Sequence, residues 1–149
     1  MYPLGCLYLS AVLLEAGYQP LIFDQNEEDD FRPFLAAHAQ DALCAGISAI
    51  TGSQVKHGLV IADIIRDKSP DLPIVWGGRH AASLPVETLR DRRVDIVARG
   101  EGELTIQELA DALKNNGGLH HVKGISYKTR DGIFHNQERE PFDLAGMPP

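Results

Sequence analysis

The chain has 149 residues, which fits one domain with a single core. Its net charge is -7, and no stripe of Lys and Arg runs along it, which argues against nucleic acid as the main partner. No apolar run approaches the roughly 20 residues of a membrane helix, and no basic segment leads into an apolar core at the N-terminus, so a cytoplasmic protein is expected.

Residues 4–16 are predicted to form a helix, with Leu4, Leu7, Tyr8, Ala11 and Leu14 on one side and Gly17 as its stop. Residues 20–24 (Pro-Leu-Ile-Phe-Asp) read as a short buried strand. A second helix is expected over residues 26–40, acidic at its start, with its regular part beginning near Pro33. Residues 42–50 form an apolar run of strand length. A third helix is expected over residues 53–68, with Val55, Leu59, Ile61, Ile64 and Ile65 turned inward. Residues 72–76 read as a strand ending in Gly77-Gly78, residues 85–90 as a short helix and residues 94–98 as the next strand. The last helix is expected over residues 104–113. Strands of residues 125–128 and 133–136 flank an Asp131-Gly132 pair, a strong hairpin signal.

Strands and helices therefore alternate, and the strands are apolar without a two-residue period. That is the pattern of a doubly wound α/β domain whose mostly parallel sheet is covered on both faces. The expected division is an α/β domain over residues 1–118, a hairpin extension over 119–140 and a proline-rich linker over 141–149.

In such sheets ligands bind beyond the carboxyl ends of the strands. Three loops follow those ends, residues 48–53, 77–83 and 99–103, and all are rich in glycine and small polar residues; their candidate contacts are Ser48, Ala49, Ile50 and Thr51; Gly77, Gly78 and His80; and Arg99, Gly100, Glu101 and Gly102. Two glycines at a strand end let a ligand approach the backbone, or serve a turn that needs positive φ. Ser48 and Thr51 offer hydroxyls that both donate and accept, and Thr51 can equally cap a helix. The Gly100-Glu101-Gly102-Glu103 string can cap a helix or aim a carboxylate and free N–H groups at an amide-rich ligand. Neither a Gly-x-Gly-x-x-Gly fingerprint nor a P-loop lysine occurs, and Ser48 or its neighbours stand where a receiver domain needs its aspartate. The six histidines (His38, His57, His80, His120, His121 and His135) show no metal spacing. Cys6 and Cys44 read as buried free thiols.

Together the strings resemble the cobalamin-binding domain that precedes the barrel of radical S-adenosylmethionine enzymes, the anaerobic magnesium-protoporphyrin ester cyclase and methyltransferase type. The strings are Tyr2-Pro3-Leu4-Gly5, Gly46-Ile47-Ser48 through Thr51, Trp76-Gly77-Gly78-Arg79-His80, Asp95 through Glu103, Gly124-Ile125-Ser126-Tyr127, and the Asp143 to Pro148 exit. The resemblance covers nearly the whole chain, and the order and spacing of the strings carry it.

It implies a Rossmann-like (flavodoxin-like) fold and cobalamin as cofactor, held by Ser48 to Thr51, Gly77, Gly78, His80 and Arg99 to Gly102. It implies that the nucleotide tail of the cofactor slides between sheet and helices past Gly77 and Gly78, so that Gly78→Leu blocks binding and leaves the fold largely intact. It also implies a radical S-adenosylmethionine barrel beyond residue 149, where the 4Fe–4S cluster and S-adenosylmethionine reside. This chain lacks the Cys-x-x-x-Cys-x-x-Cys trio, so it is expected to catalyse nothing alone. The family also places a central strand before the first helix, which this sequence lacks. The Asp-x-His-x-x-Gly string that brings a histidine to cobalt in other cobalamin domains is absent, so no axial ligand is assigned. Two other readings stand beside this one: an interaction module of the same fold without cofactor, and a small enzyme using Ser48, His80 and Glu101.

Overall fold

A computed structural model describes residues 4–24, 30–50 and 52–140. Thr51, the start of the second predicted helix and the predicted linker all lie outside the described residues. The elements run in the order helix α1 (Leu4–Glu15), α2 (Phe31–His38), strand β1 (Ala45–Ser48), α3 (Ser53–Lys68), β2 (Ile74–Gly77), α4 (Arg79–Ser83), α5 (Pro85–Arg90), β3 (Ile96–Ala98), α6 (Glu103–Lys114), a 3-10 turn (Leu119–His121), β4 (Ile125–Thr129) and β5 (Gly132–His135). Pro85 at the first turn of α5 and Asp30 capping α2 set two of these starts where residue chemistry favours them.

One sheet carries all five strands in the order β1-β2-β3-β4-β5. The first three are parallel, with Ser48 opposite Gly77 and Trp76 opposite Val97. β4 then pairs antiparallel to β3, and β5 to β4. The predicted hairpin thus extends the same sheet. Its two loop residues are Arg130 and Asp131, with Thr129 opposite Gly132.

Strand residues alternate between faces, and each face has its own core. Ile74, Trp76 and Val97 face α3, with Ala62, Ile65, Ala81 and Leu89 in one cluster. Val55, Leu59, Ile61 and Ile64 pack against it as the sequence predicts. Val75, Ile96 and Ile125 face α6, with Leu109, Ala112 and Val122 in the other. α2 packs on α3, and α1 packs on α6, so the helices cover opposite faces.

Two predictions are corrected. Residues 20–24 are no strand among the described residues: Leu21 is 56% exposed and the segment has no sheet partner. The predicted inner side of α1 is open as well. Leu4, Leu7, Tyr8 and Leu14 are exposed, and Val12 is the buried residue of the helix. Both discrepancies have one physical cause. Apolar sequence marks what can be buried, but burial needs a neighbour, and among the described residues no strand pairs with β1 on its outer side. The strands are also shorter than their apolar runs, because Pro73 and Asp95 lie at the amino end of the sheet, where Asp95 accepts hydrogen bonds from Ile74 N–H at 2.8 Å and Arg66 at 2.7 Å.

Candidate functional site at the carboxyl edge of the sheet

Because β1, β2 and β3 are adjacent and parallel, the loops after them meet at one edge. The sheet thus brings together the segments that begin at Ser48, Gly77 and Arg99. The Ala49 N–H donates to the Gly77 carbonyl at 3.2 Å, which ties the first two loops. Ser48 is exposed, Ala49 is buried, and Ile50 is 57% exposed with its N–H donating to Gln54 Oε1 at 2.9 Å.

The two faces of the sheet differ sharply next to this edge. On the α3 face Trp76 and Ile47 fill the space, and a Cβ on Gly58 would come within 2.9 Å of each. No ligand enters there without moving the core. On the α1 and α6 face the strands end in Gly46 and Ser48 of β1, Gly77 of β2 and Ala98 of β3, all small by alternation from Val75 and Ile96. Among the described residues a Cβ on Gly46 or Gly77 would meet no atom within 4 Å. That is a floor a side chain would occupy and that the sequence leaves clear.

Gly78 has a different job. Its φ is +87°, and a Cβ there would stand 2.5 Å from the Ala49 carbonyl oxygen. The residue is glycine because the turn into α4 runs against the first loop. The expectation that Gly78→Leu spares the fold is corrected on this ground: the clear space lies at Gly77.

Gly100 and Gly102 open the third loop, and Leu9 of α1 lies 3.0 Å from where a Gly102 Cβ would be. The small residue lets α1 close on the start of α6. Arg99 is mostly engaged elsewhere. Its Nη2 donates to the carbonyls of Ile125, at 3.1 Å, and Asn136. Its Nε is buried with no partner among the described residues, and so is Oε2 of Glu103. Both atoms are enclosed by the fold. Glu101 sits exposed between them, its carbonyl accepting from Thr105 Oγ1 at 3.4 Å. No described residue hydrogen-bonds the His80 imidazole, at the start of α4.

Sequence reasoning gave Gly46 and Ala98 no place on the floor, and placed Glu103 only in the loop string before α6. The first two were within reach, since period-two counting from Ser48 and Ile96 puts them on the floor. The orphaned oxygen of Glu103 left no trace in the sequence.

The thiols of Cys6 and Cys44 are free and partly buried, and burial pushes Cys44 up to about 11. Among the described residues no group of His, Cys, Asp and Glu could hold a metal ion, and no helix is long and apolar enough to cross a membrane.

Residues 1–110 match the B12 binding domain family. The chain belongs to that family. Cobalamin is accordingly the cofactor of this B12-binding domain. Among curated relatives it is 30% identical over 140 residues to the anaerobic magnesium-protoporphyrin IX monomethyl ester cyclase of Synechocystis sp., covering 89% of this chain and 27% of that protein. It is 32% identical over 155 residues to the cytidylyl-2-hydroxyethylphosphonate methyltransferase of Streptomyces wedmorensis, covering 88% of this chain and 28% of the relative. The B12-binding chain thus spans under a third of the length of the curated relatives it matches. In fold it is similar to the radical S-adenosylmethionine methyltransferase TsrM of Kitasatospora setae, solved with cobalamin and a [4Fe-4S] cluster bound. That superposition has a TM-score of 0.78 at 18% identity and covers 100% of this chain and 28% of TsrM. The cobalamin-dependent S-adenosylmethionine radical enzyme OxsB, with aqua-cobalamin and S-adenosylmethionine bound, gives 0.78 at 24% identity, over 94% of this chain and 20% of OxsB. The doubly wound, Rossmann-like reading of the sequence holds.

Proposed function

We propose that this B12-binding domain seats cobalamin over the carboxyl ends of β1, β2 and β3 and presents it to a radical S-adenosylmethionine domain of the same protein. The observation that carries the site is the clear floor of Gly46, Ser48, Gly77 and Ala98, where among the described residues no atom stands within 4 Å of a Cβ built on Gly46 or Gly77. Two features support the fit. The exposed Ser48 hydroxyl, which donates and accepts, suits the amide side chains of a corrin. The floor suits the nucleotide tail, which must lie flat against backbone between the sheet and α1 and α6.

Bound cobalamin would supply a cobalt centre able to carry a methyl group or to assist a radical ring-forming oxidation. The residues of this chain bind and orient. Ser48 Oγ and the Ile50 to Glu101 loops border the ring, Gly77 admits the tail, and the helices shield it from water. The 4Fe–4S cluster and S-adenosylmethionine belong to the catalytic domain in this reading, consistent with the two lone cysteines here.

A titration separates the ring site from the tail slot. Hydroxocobalamin and cobinamide, which lacks the nucleotide tail, are each titrated into the chain and followed by visible absorbance. Cobalamin is expected to bind one to one, and cobinamide at least about tenfold more weakly, for the loss of about 1.4 kcal/mol of slot contacts. Equal affinities reject the slot over Gly77. No binding of either rejects the domain's assignment to the cofactor, and leaves an interaction module of the same fold.

A further inference from the structure

The five residues after β5 form neither helix nor strand, yet Asn136, Gln137 and Arg139 are each fastened to the domain. Asn136 N–H donates to the Ile125 carbonyl at 3.0 Å, and Gly124 N–H to the Gln137 carbonyl at 2.9 Å. The Asn136 side chain donates to the carbonyls of Leu119 and Val122, at 2.6 and 2.8 Å. Then comes Arg139, whose side chain is 11% exposed. A long cationic side chain in an irregular segment is normally solvated. This one donates from Nε to Thr105 Oγ1 at 3.0 Å, and from Nη2 to the Glu108 carboxylate and the Lys123 carbonyl, the last at 3.3 Å. Gly124 makes the closure feasible. Its φ is +76°, and a Cβ there would stand 2.9 Å from Thr105 Oγ1 and 3.6 Å from Arg139 Cβ.

The topology says where this fastening lies. β4 runs against β3 and β5 against β4, so β5 ends at the carboxyl edge of the parallel strands. The segment then crosses to α6, on the face with the clear floor. Arg99, Gly100, Glu138 and Arg139 border one cavity of about 220 Å3 there.

We propose that Arg139 is a latch that fixes the direction in which the polypeptide leaves the domain, holding residues 137–140 against α6 at the cofactor edge. Whatever follows residue 140 is thereby delivered to the side of the sheet where the corrin sits. Arginine suits the role because its fork reaches a hydroxyl, a carboxylate and a carbonyl at once, which an ammonium group does not. The latch is a positioning device and touches no cofactor. What it points toward rests on the cobalamin reading; the latch itself does not.

The test places nitroxides on Glu140→Cys and on Glu87→Cys of α5, in a chain carrying Cys6→Ser and Cys44→Ala, and measures their distance distribution by pulsed electron paramagnetic resonance. One narrow distribution is expected with Arg139 in place. Arg139→Ala and Arg139→Lys are each expected to about double its width through local release of the segment, with an unchanged circular dichroism spectrum. Glu108→Gln, at a half-exposed position on α6, gives the same readout should the arginine variants fold poorly. A second arm measures the Glu140→Cys label against bound cob(II)alamin. Its distribution should widen in Arg139→Ala while cobalamin affinity stays unchanged. An unwidened label-to-label distribution in both Arg139→Ala and Glu108→Gln overturns the latch. A chain that takes up no cobalamin leaves the first arm readable, and overturns only the reading of what the latch faces.

Discussion

Gly77→Leu is expected to lower cobalamin affinity by about a hundredfold or more, the equivalent of about 2.8 kcal/mol, while the melting temperature stays within a few degrees of the parent. Gly78→Leu is expected to do the reverse of a binding-site mutation and unfold the chain. The neighbouring glycines part because their backbones differ. Gly77 is an ordinary strand residue whose Cβ would point into open space. Leucine fits there without strain, and in doing so fills the floor on the α1 and α6 face. Gly78 has φ +87°, and its Cβ would stand 2.5 Å from the Ala49 carbonyl oxygen and 3.0 Å from the Ala49 nitrogen. Backbone cannot yield as a flexible side-chain tip does. Strain and clash together should cost on the order of 3 kcal/mol or more, a large part of the stability of a domain this size. Thermal melts of both variants, with cobalamin titrations alongside, check the pair. A stable Gly77→Leu that binds cobalamin as tightly as the parent removes the floor from the account.

A second large effect is expected at the open flank of the sheet. Among the described residues Ala45 to Ser48 form an edge strand with no charge, no proline and no bulge to guard it. Connections between parallel strands are right-handed. α3 makes such a connection from β1 to β2, and α2 packs beside α3 on the same face. The segment of residues 20–24, which α2 joins to β1, therefore belongs on the far side of β1 from β2. α1 packs with α6 on the opposite face, so the same rule sends its connection the other way. By that rule, a strand placed ahead of α1 would be expected to lie between residues 20–24 and β1, under α1.

Joining about ten residues of strand character ahead of Met1 should therefore raise the melting temperature by about 10 °C. The helix residues Leu4, Leu7, Tyr8 and Leu14, 43–62% exposed, would gain cover, at about 1 kcal/mol each, and each kcal/mol shifts the transition by about 2–4 °C in a chain of this length. The new strand's ladder bonds and apolar side chains offset its own ordering entropy. Amide exchange at Ala45 to Ser48 and Leu21 to Phe23 should slow in the same chain. An extension that leaves both the melt and the exchange rates where they were contradicts this topology.

The sequence was legible wherever the structural signal is local. The third helix, the three parallel strands and the hairpin could be read from periodicity and turn residues, and the site edge followed from topology alone, because parallel strands put their following loops together. What could not be read depended on partners. Leu21 to Phe23 and the apolar side of α1 have the composition of buried elements, but no residue pattern states whether a neighbour is there. The division of labour between Gly77 and Gly78 was hidden because two adjacent glycines look alike until φ is known. Arg99 looked like a ligand contact, and its guanidinium turned out to bind Ile125 and Asn136, partners 26 and 37 residues away that no short motif could foretell.

The central claim, that this chain holds cobalamin by itself, is tested most directly by colour. The purified chain is mixed with excess hydroxocobalamin, desalted, and its visible spectrum recorded with the protein concentration. The account predicts one corrin retained per chain, and loss of that colour in Gly77→Leu. A folded chain that emerges colourless, or a Gly77→Leu chain that retains as much corrin as the parent, would contradict it.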